Sequence, residues 1–231
     1  MTAVPSFTQV GTQVADAGTA DAIRVHTGGS GLILGTNPNG QPVMISLFRP
    51  EPTVVAVVGG VGLAQLVGFR ALALGAALVV RTVRPSAWSA LAGAAADTRG
   101  AVEIAWPDRQ PAWYGSSLRP QLLLVDSYST SAVGAMPAVH GWSTLIAVRE
   151  QVGSLDANLL GRTDLILAQT LSVQESAVVC GAVNKPDYIS ALAALPERTV
   201  AVISRADIRV ARLSTTAIES QLIAQQPRRR L

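Results

Sequence analysis

The residues with the clearest chemical potential follow an apolar run. Val54-Val-Ala-Val-Val58 leads into Gly59-Gly60-Val61-Gly62 and then Leu63-Ala64-Gln65-Leu66. A buried strand, a glycine-rich turn and a helix together form the setting in which backbone N–H groups hold phosphate. The full phosphate-cradling pattern is G-x-x-x-x-G-K-[ST]. Matched from Gly59, this sequence puts Ala64 at the second glycine, Gln65 at the lysine and Leu66 at the hydroxyl position. Without the lysine no ammonium neutralises the β- and γ-phosphates, and without the hydroxyl a Mg²⁺ ligand is lost. The other half of such a site is a strand ending in an acid, and Leu122-Leu-Leu-Val-Asp126 supplies one. Ser127 follows it, in place of a glutamate that would polarise water. An α/β strand can equally end in an Asp that caps its next turn. The expectation is a vestigial nucleotide-binding set of Gly59, Gly60, Gly62 and Asp126, with no catalytic residue, no metal ligand and no cofactor.

Other chemistries find less to work with. Gly60-Val-Gly62-Leu-Ala-Gln65 carries two glycines of the dinucleotide fingerprint, but Gln65 stands at the third and Arg81 where a ribose-binding acid belongs. His26 and His140 are the two histidines, and neither has metal-ligand spacing to another donor. Ser127, Ser129 and Ser131 lack the glycine frame of a nucleophile elbow. Arg149 and Glu150 end an apolar run and can face the crevice of Asp126, or form an ordinary ion pair. Cys180 is the single cysteine, so no intrachain disulfide forms, and its apolar setting reads as a buried small hydrophobe.

The elements that must position these residues are legible from apolar patterning. With 49% hydrophobic but 4% aromatic residues, the core has to be built from Ala, Val, Leu and Ile. Leu32–Leu34 and Pro42–Phe48 flank Asn37-Pro-Asn39-Gly40, a hairpin signal. Continuous apolar runs at Val54–Val58, Ala77–Val80, Val102–Ala105, Gln121–Val125, Thr144–Val148, Leu165–Ala168 and Thr199–Ile203 read as strands buried on both faces. The last of these is expected to pair with Ile208–Leu213 through a turn near Ala206-Asp207. Trp88, Leu91, Ala92 and Ala95 share one helical face. Ser172-x-x-Glu175 and Thr216-x-x-Glu219 are capping boxes, and Pro186 suits a first helical position. The stretch from Val54 to Val80 would attract a hydropathy scan, but its glycines and Arg70 favour strand, helix and strand over a membrane span. One α/β domain over residues 29–225 is expected, after an extension at 1–28 and before a basic tail at 226–231. No secretion leader is apparent in residues 1–28.

The order of these features resembles the FtsK/SpoIIIE-type ATPase domains of type VII secretion. Leu32-Ile-Leu-Gly35, Pro42–Leu47, Val57-Val-Gly-Gly60, Arg70-Ala-Leu72 and Leu122–Asp126 carry the likeness. The C-terminal cytosolic region of EccE, a membrane-complex component of those systems that also lacks the lysine, is similar through Gly31–Gly35 and Val102–Pro107. This resemblance implies a three-layer α/β sandwich of P-loop NTPase (RecA/FtsK-like) type, with a mostly parallel sheet and an N-terminal β-hairpin. EccE carries N-terminal transmembrane segments that this sequence lacks, so a detached, soluble relative is expected.

Three functions compete. The first is a non-catalytic pseudo-ATPase or EccE-like scaffold, not an enzyme, in actinobacterial type VII secretion. Its partner would be a secretion-machinery ATPase, a membrane complex or a second copy of the chain. The second is a nucleotide-binding enzyme or sensor with a non-standard phosphate site. The third is a DNA-translocase accessory. The sequence pI is about 9.6, yet net charge is only +3, three positive charges being Arg228, Arg229 and Arg230. No basic stripe is interleaved with aromatics, which disfavours nucleic acid. The tail either stays solvated or recruits a cytoplasmic chain to an acidic partner or the inner face of the plasma membrane.

Overall fold

The computed structural model describes residues 31–95, 101–107, 115–127 and 141–223. The N-terminal extension, His26, Ser129, Ser131, His140 and the Arg228–Arg230 tail lie outside the described residues.

Apolar runs without alternation have no face to offer water, so they become strands covered on both sides. The described residues form ten strands in one sheet: β1 (Leu32–Thr36), β2 (Pro42–Ile45), β3 (Thr53–Val58), β4 (Ala77–Thr82), β5 (Val102–Ala105), β6 (Gln121–Asp126), β7 (Ser143–Arg149), β8 (Leu165–Ala168), β9 (Thr199–Ile203) and β10 (Ile208–Leu213). The order is β2-β1-β10-β9-β8-β3-β7-β6-β4-β5. From β8 to β5 all neighbours are parallel. From β8 to β2 they are antiparallel. The hairpin forms as its Asn-Gly signal predicts, with the Asn37 side chain accepting from the Asn39 and Gln41 N–H groups. Strand β2 stops at Ile45, short of the expected Phe48. Beyond it the backbone is claimed by the start of β7: the Thr144 hydroxyl donates to the Leu47 carbonyl, and the Trp142 N–H to that of Arg49.

Helices cover both faces. Helix α1 (Val61–Ala73) packs Val61, Leu63, Leu66, Val67 and Ala71 into a core with Val55, Val57, Val80, Leu124 and Ile146. Helices α2 (Ser89–Ala94) and α6 (Ala217–Leu222) accompany it. On the other face are α3 (Ala157–Gly161), α4 (Val173–Val183) and α5 (Ile189–Ala193), with Val179, Cys180 and Leu192 against Ala56, Ile166 and Ala201. Both capping boxes form, at Ser172–Glu175 and Thr216–Glu219. Pro186 opens a short 3₁₀ turn. Burial pushes the Cys180 thiol above its ordinary pKa, keeping it neutral.

The apolar stretch from Val54 to Val80 resolves as β3, α1 and β4, and among the described residues no helix is long and apolar enough to cross a membrane. Arg70, the charge that a bilayer would penalise, is spent on tertiary bonds. Its guanidinium pairs with Glu219 of α6, at 2.6 Å from Nε, and donates to the carbonyls of Ile33, Leu34 and Ser214. One side chain thus ties α1, the hairpin and the C-terminal helix together.

Candidate functional site

The turn after β3 is two residues long. Strand β3 ends at Val58, Gly59 and Gly60 make the turn, and α1 begins at Val61. A six-residue G-x-x-x-x-G loop would instead wind around phosphate before the helix starts. Here the residues aligned with the loop from its third position to its second glycine, Val61 to Ala64, are already helical. Gly59 and Gly60 have φ of 119° and 117°, a region closed to most side chains, which is why both are glycine. The turn is pinned between two strands: the Gly59 N–H donates to the Arg149 carbonyl and the Gln169 N–H to the Val58 carbonyl, each at 3.0 Å. A Cβ on Gly59 would lie 2.9 Å from Gln169 Cβ. Gly62 faces the segment after α6, where a Cβ would meet Ile223 Cγ2 at 3.5 Å.

Gln65 and Leu66 have consequently moved inside. Leu66 belongs to the core. Gln65 is 1% exposed and donates from Nε2 to the Ala87 carbonyl at 2.5 Å, while its buried Oε1 has no hydrogen-bond partner. The lysine position of the pattern is therefore a contact between α1 and the turn before α2.

Asp126 stands at the end of β6, separated from β3 by β7. Its carboxylate is 3% exposed and heavily subscribed. Oδ2 accepts from the Thr82 hydroxyl (3.0 Å), Arg84 Nε (2.9 Å) and Trp88 Nε1 (2.8 Å), and Oδ1 accepts from Arg84 Nη2 (2.7 Å). Arg84 also pairs with Glu150. The hydrogen bond to Asp126, reinforced by Glu150, raises the Arg84 pKa above its ordinary value, so the guanidinium is a permanent cation between two acids. A Mg²⁺ ion bound by Asp126 would have to displace it.

Arg149 and Glu150 diverge. Glu150 joins Asp126 through Arg84. Arg149 is buried, pairs with Asp156 at 3.1 Å, and donates to the carbonyls of Ser127 and Val148. Arg81 is buried on β4. Among the described residues no group of three or more His, Cys, Asp or Glu side chains gathers as a metal site. The structure thus places Gly59, Gly60 and Gly62 together at the head of α1 and Asp126 in a separate polar cluster. The residues present do not fit a Mg²⁺-nucleotide, because the amide-lined loop is missing and the carboxylate is taken. Sequence reasoning missed Thr82, Arg84 and Trp88. The one available signal was a Trp predicted on a buried face, since a buried indole N–H needs an acceptor.

No known family profile and no curated protein sequence matches this chain. Solved structures do. VirB4 of Thermoanaerobacter pseudethanolicus is similar with a TM-score of 0.58 at 8% identity, over 84% of this chain and 99% of that one. The genome packaging NTPase B204 of Sulfolobus turreted icosahedral virus 2, solved in complex with AMP, reaches 0.50 at 13% identity, over 73% and 100%. The fold is that of the P-loop ATPases. At such identities the likeness establishes architecture alone. The cytoplasmic domain of the Thermomonospora curvata Type VII Secretion ATPase EccC aligns over 85% of this chain and 31% of its own, at 13% identity. Its TM-score is 0.47.

Proposed function

We propose that this chain is a non-catalytic domain of P-loop fold that acts as a protein-interaction scaffold. The observation that carries the reading is the two-residue Gly59-Gly60 turn, with α1 starting at Val61 and Gln65 buried in its interior. A nucleotide would meet no wrapping loop, no lysine and no hydroxyl there. The Arg84 guanidinium held between Asp126 and Glu150 supports the same reading, because it stands in for the charge a metal would bring.

The setting we favour is actinobacterial type VII secretion, as a cytoplasmic EccE-like component whose partner is the secretion ATPase or the membrane complex. What favours it is the run of likeness from Gly31–Gly35 to Val102–Pro107 described above.

Calorimetric titration with ATP and ADP, with and without Mg²⁺, tests the reading. The expected outcome is no saturable heat and no thermal stabilisation at millimolar nucleotide. Saturable Mg²⁺-dependent binding would overturn it in favour of a nucleotide sensor, and loss of that binding in Gly59→Ala would place the ligand at the turn.

A further inference from the structure

The C-terminal helix α6 lies on the molecule as a strap. Its Ala217, Ile218, Ser220 and Gln221 side chains are exposed, while that of Glu219 is buried. Two side chains anchor it to α1. Glu219 pairs with Arg70, Oε1 with Nε at 2.6 Å and Oε2 with Nη2 at 3.1 Å. One turn later Ile223, just past the helix, packs on the head of α1, where a Cβ on Gly62 would meet its Cγ2 at 3.5 Å. We propose that this seat on α1 is exchangeable and that a second copy of the chain docks its own α6 there, so that two copies swap the strap. The inference goes beyond the scaffold reading and holds whether or not a nucleotide binds.

The seat specifies its occupant. The Arg70 guanidinium also donates to the carbonyls of Ile33, Leu34 and Ser214. Those acceptors are neutral, and among the described residues Glu219 is the acid paired with it. A guanidinium on a side chain only 16% exposed is costly to hold without a carboxylate. The occupant must therefore bring one, together with an apolar side chain one helical turn further on. Helix α6 is such a segment, and every copy of the chain carries it.

The strap can leave its seat without losing its shape, which is set from within. Thr216 Oγ1 accepts from the Glu219 N–H at 3.2 Å, and the Thr216 N–H donates to Glu219 Oε2 at 2.7 Å. Ser214 stays bound to Arg70 through its carbonyl, which leaves Thr215 as the joint between β10 and the cap at Thr216. Short joints invite exchange between copies. One ion pair and one apolar anchor make opening a local event of low cost. In the exchanged pair each anchor is kept, so what opposes it is the association cost, offset as protein concentration rises.

Disulfide trapping tests the exchange, because Cys180 is buried and does not compete. Ile223 Cγ2 marks a place that a cysteine sulfur can take, within bonding reach of one on Gly62. The double variant Gly62→Cys/Ile223→Cys, oxidised at high dilution, should close within one chain, which checks the seat. A mixture of the two single variants, concentrated and then oxidised, should give at least about fivefold more covalent dimer than either variant alone. In that mixture the two sulfurs meet in the seat only when the strap of one copy lies on the α1 of another. Both variants should fold, since an added Cβ at Gly62 meets only Ile223 outside its own helix among the described residues, and Ile223 is partly buried. Light scattering of the wild type should show a dimer that grows with concentration. Failure of the double variant to close would overturn the proposal, because the seat would then not join these residues. So would a mixture no richer in covalent dimer than its components, or a wild type that stays monomeric up to millimolar protein. Saturable nucleotide binding would overturn the scaffold reading and leave this exchange untouched.

Discussion

At the C-terminal edge of the parallel strands, Asp126 is 3% exposed and shares its carboxylate among Thr82, Arg84 and Trp88. At the N-terminal edge, Arg209 has a side chain 47% exposed and meets Asp207 only at 3.9 Å. Both edges carry arginines and acids, yet one edge uses them inward and the other leaves them outward. Burial makes the difference. A charge taken out of water must be matched by a close partner, and the match leaves nothing over for a ligand. A charge left in water costs little to hold unpaired and stays available for binding. In P-loop ATPases the C-terminal edge is the working one. In this chain the carboxylate at that edge is buried and paired.

The sharpest way to break the comparison is Asp126→Ala. If Asp126 is structural, the change leaves the buried Trp88 indole N–H and Thr82 hydroxyl without their acceptor and Arg84 with Glu150 alone, and costs about 3 kcal/mol in denaturant unfolding. A cost under about 1 kcal/mol would mean that the cluster is not what holds this edge.

Gln65→Lys comes next. Restoring the lysine to the sequence pattern should not restore nucleotide binding, because position 65 is buried in α1 beside Ala87. It should instead destabilise the fold by about 2–3 kcal/mol, through an ammonium buried with one carbonyl for company. Calorimetry with ATP and a thermal melt on the same protein give both answers. A gain of affinity would show that the turn can reopen.

The smallest effect concerns Glu219, the acid that keeps α6 on Arg70. The hydrogen bond from Arg70, with help from the Thr216 backbone, holds its pKa below the ordinary 4.5. A depressed folded-state pKa stabilises the fold fully above the unfolded value and loses that contribution as pH falls through the folded one. Glu219→Gln keeps the capping geometry and removes the charge, so it should cost about 1 kcal/mol near neutrality. The gap to wild type should close as the pH is taken well below 4.5. Parallel Tm curves from pH 7 to 3 would mean that the ion pair contributes nothing.

Much of the architecture was legible because its signals are local. The Asn37–Gly40 hairpin, the apolar runs and the two capping boxes depend on neighbours within a few residues, and each appears as expected. The candidate site was legible in part. The loss of lysine and hydroxyl at Gln65 and Leu66 is plain in the sequence. Asp126 was found by its place after four apolar residues, but its partners were not, since Thr82, Arg84 and Trp88 come from the end of β4 and the segment after it and carry no spacing rule. Arg70 was read as an obstacle to a membrane span, and its bonds to Ile33, Ser214 and Glu219 were invisible because they join segments far apart in the chain.

The sequence by itself determined the α/β class, the hairpin lead-in and the absence of the phosphate-binding side chains, because residue type and short-range periodicity are enough for those. Only the tertiary structure decided that β7 lies between β3 and β6, that the turn after β3 has two residues, and that Arg84 occupies Asp126. Strand order and buried charge pairing are settled by contacts between distant segments competing for the same partners. No window of the sequence contains that competition.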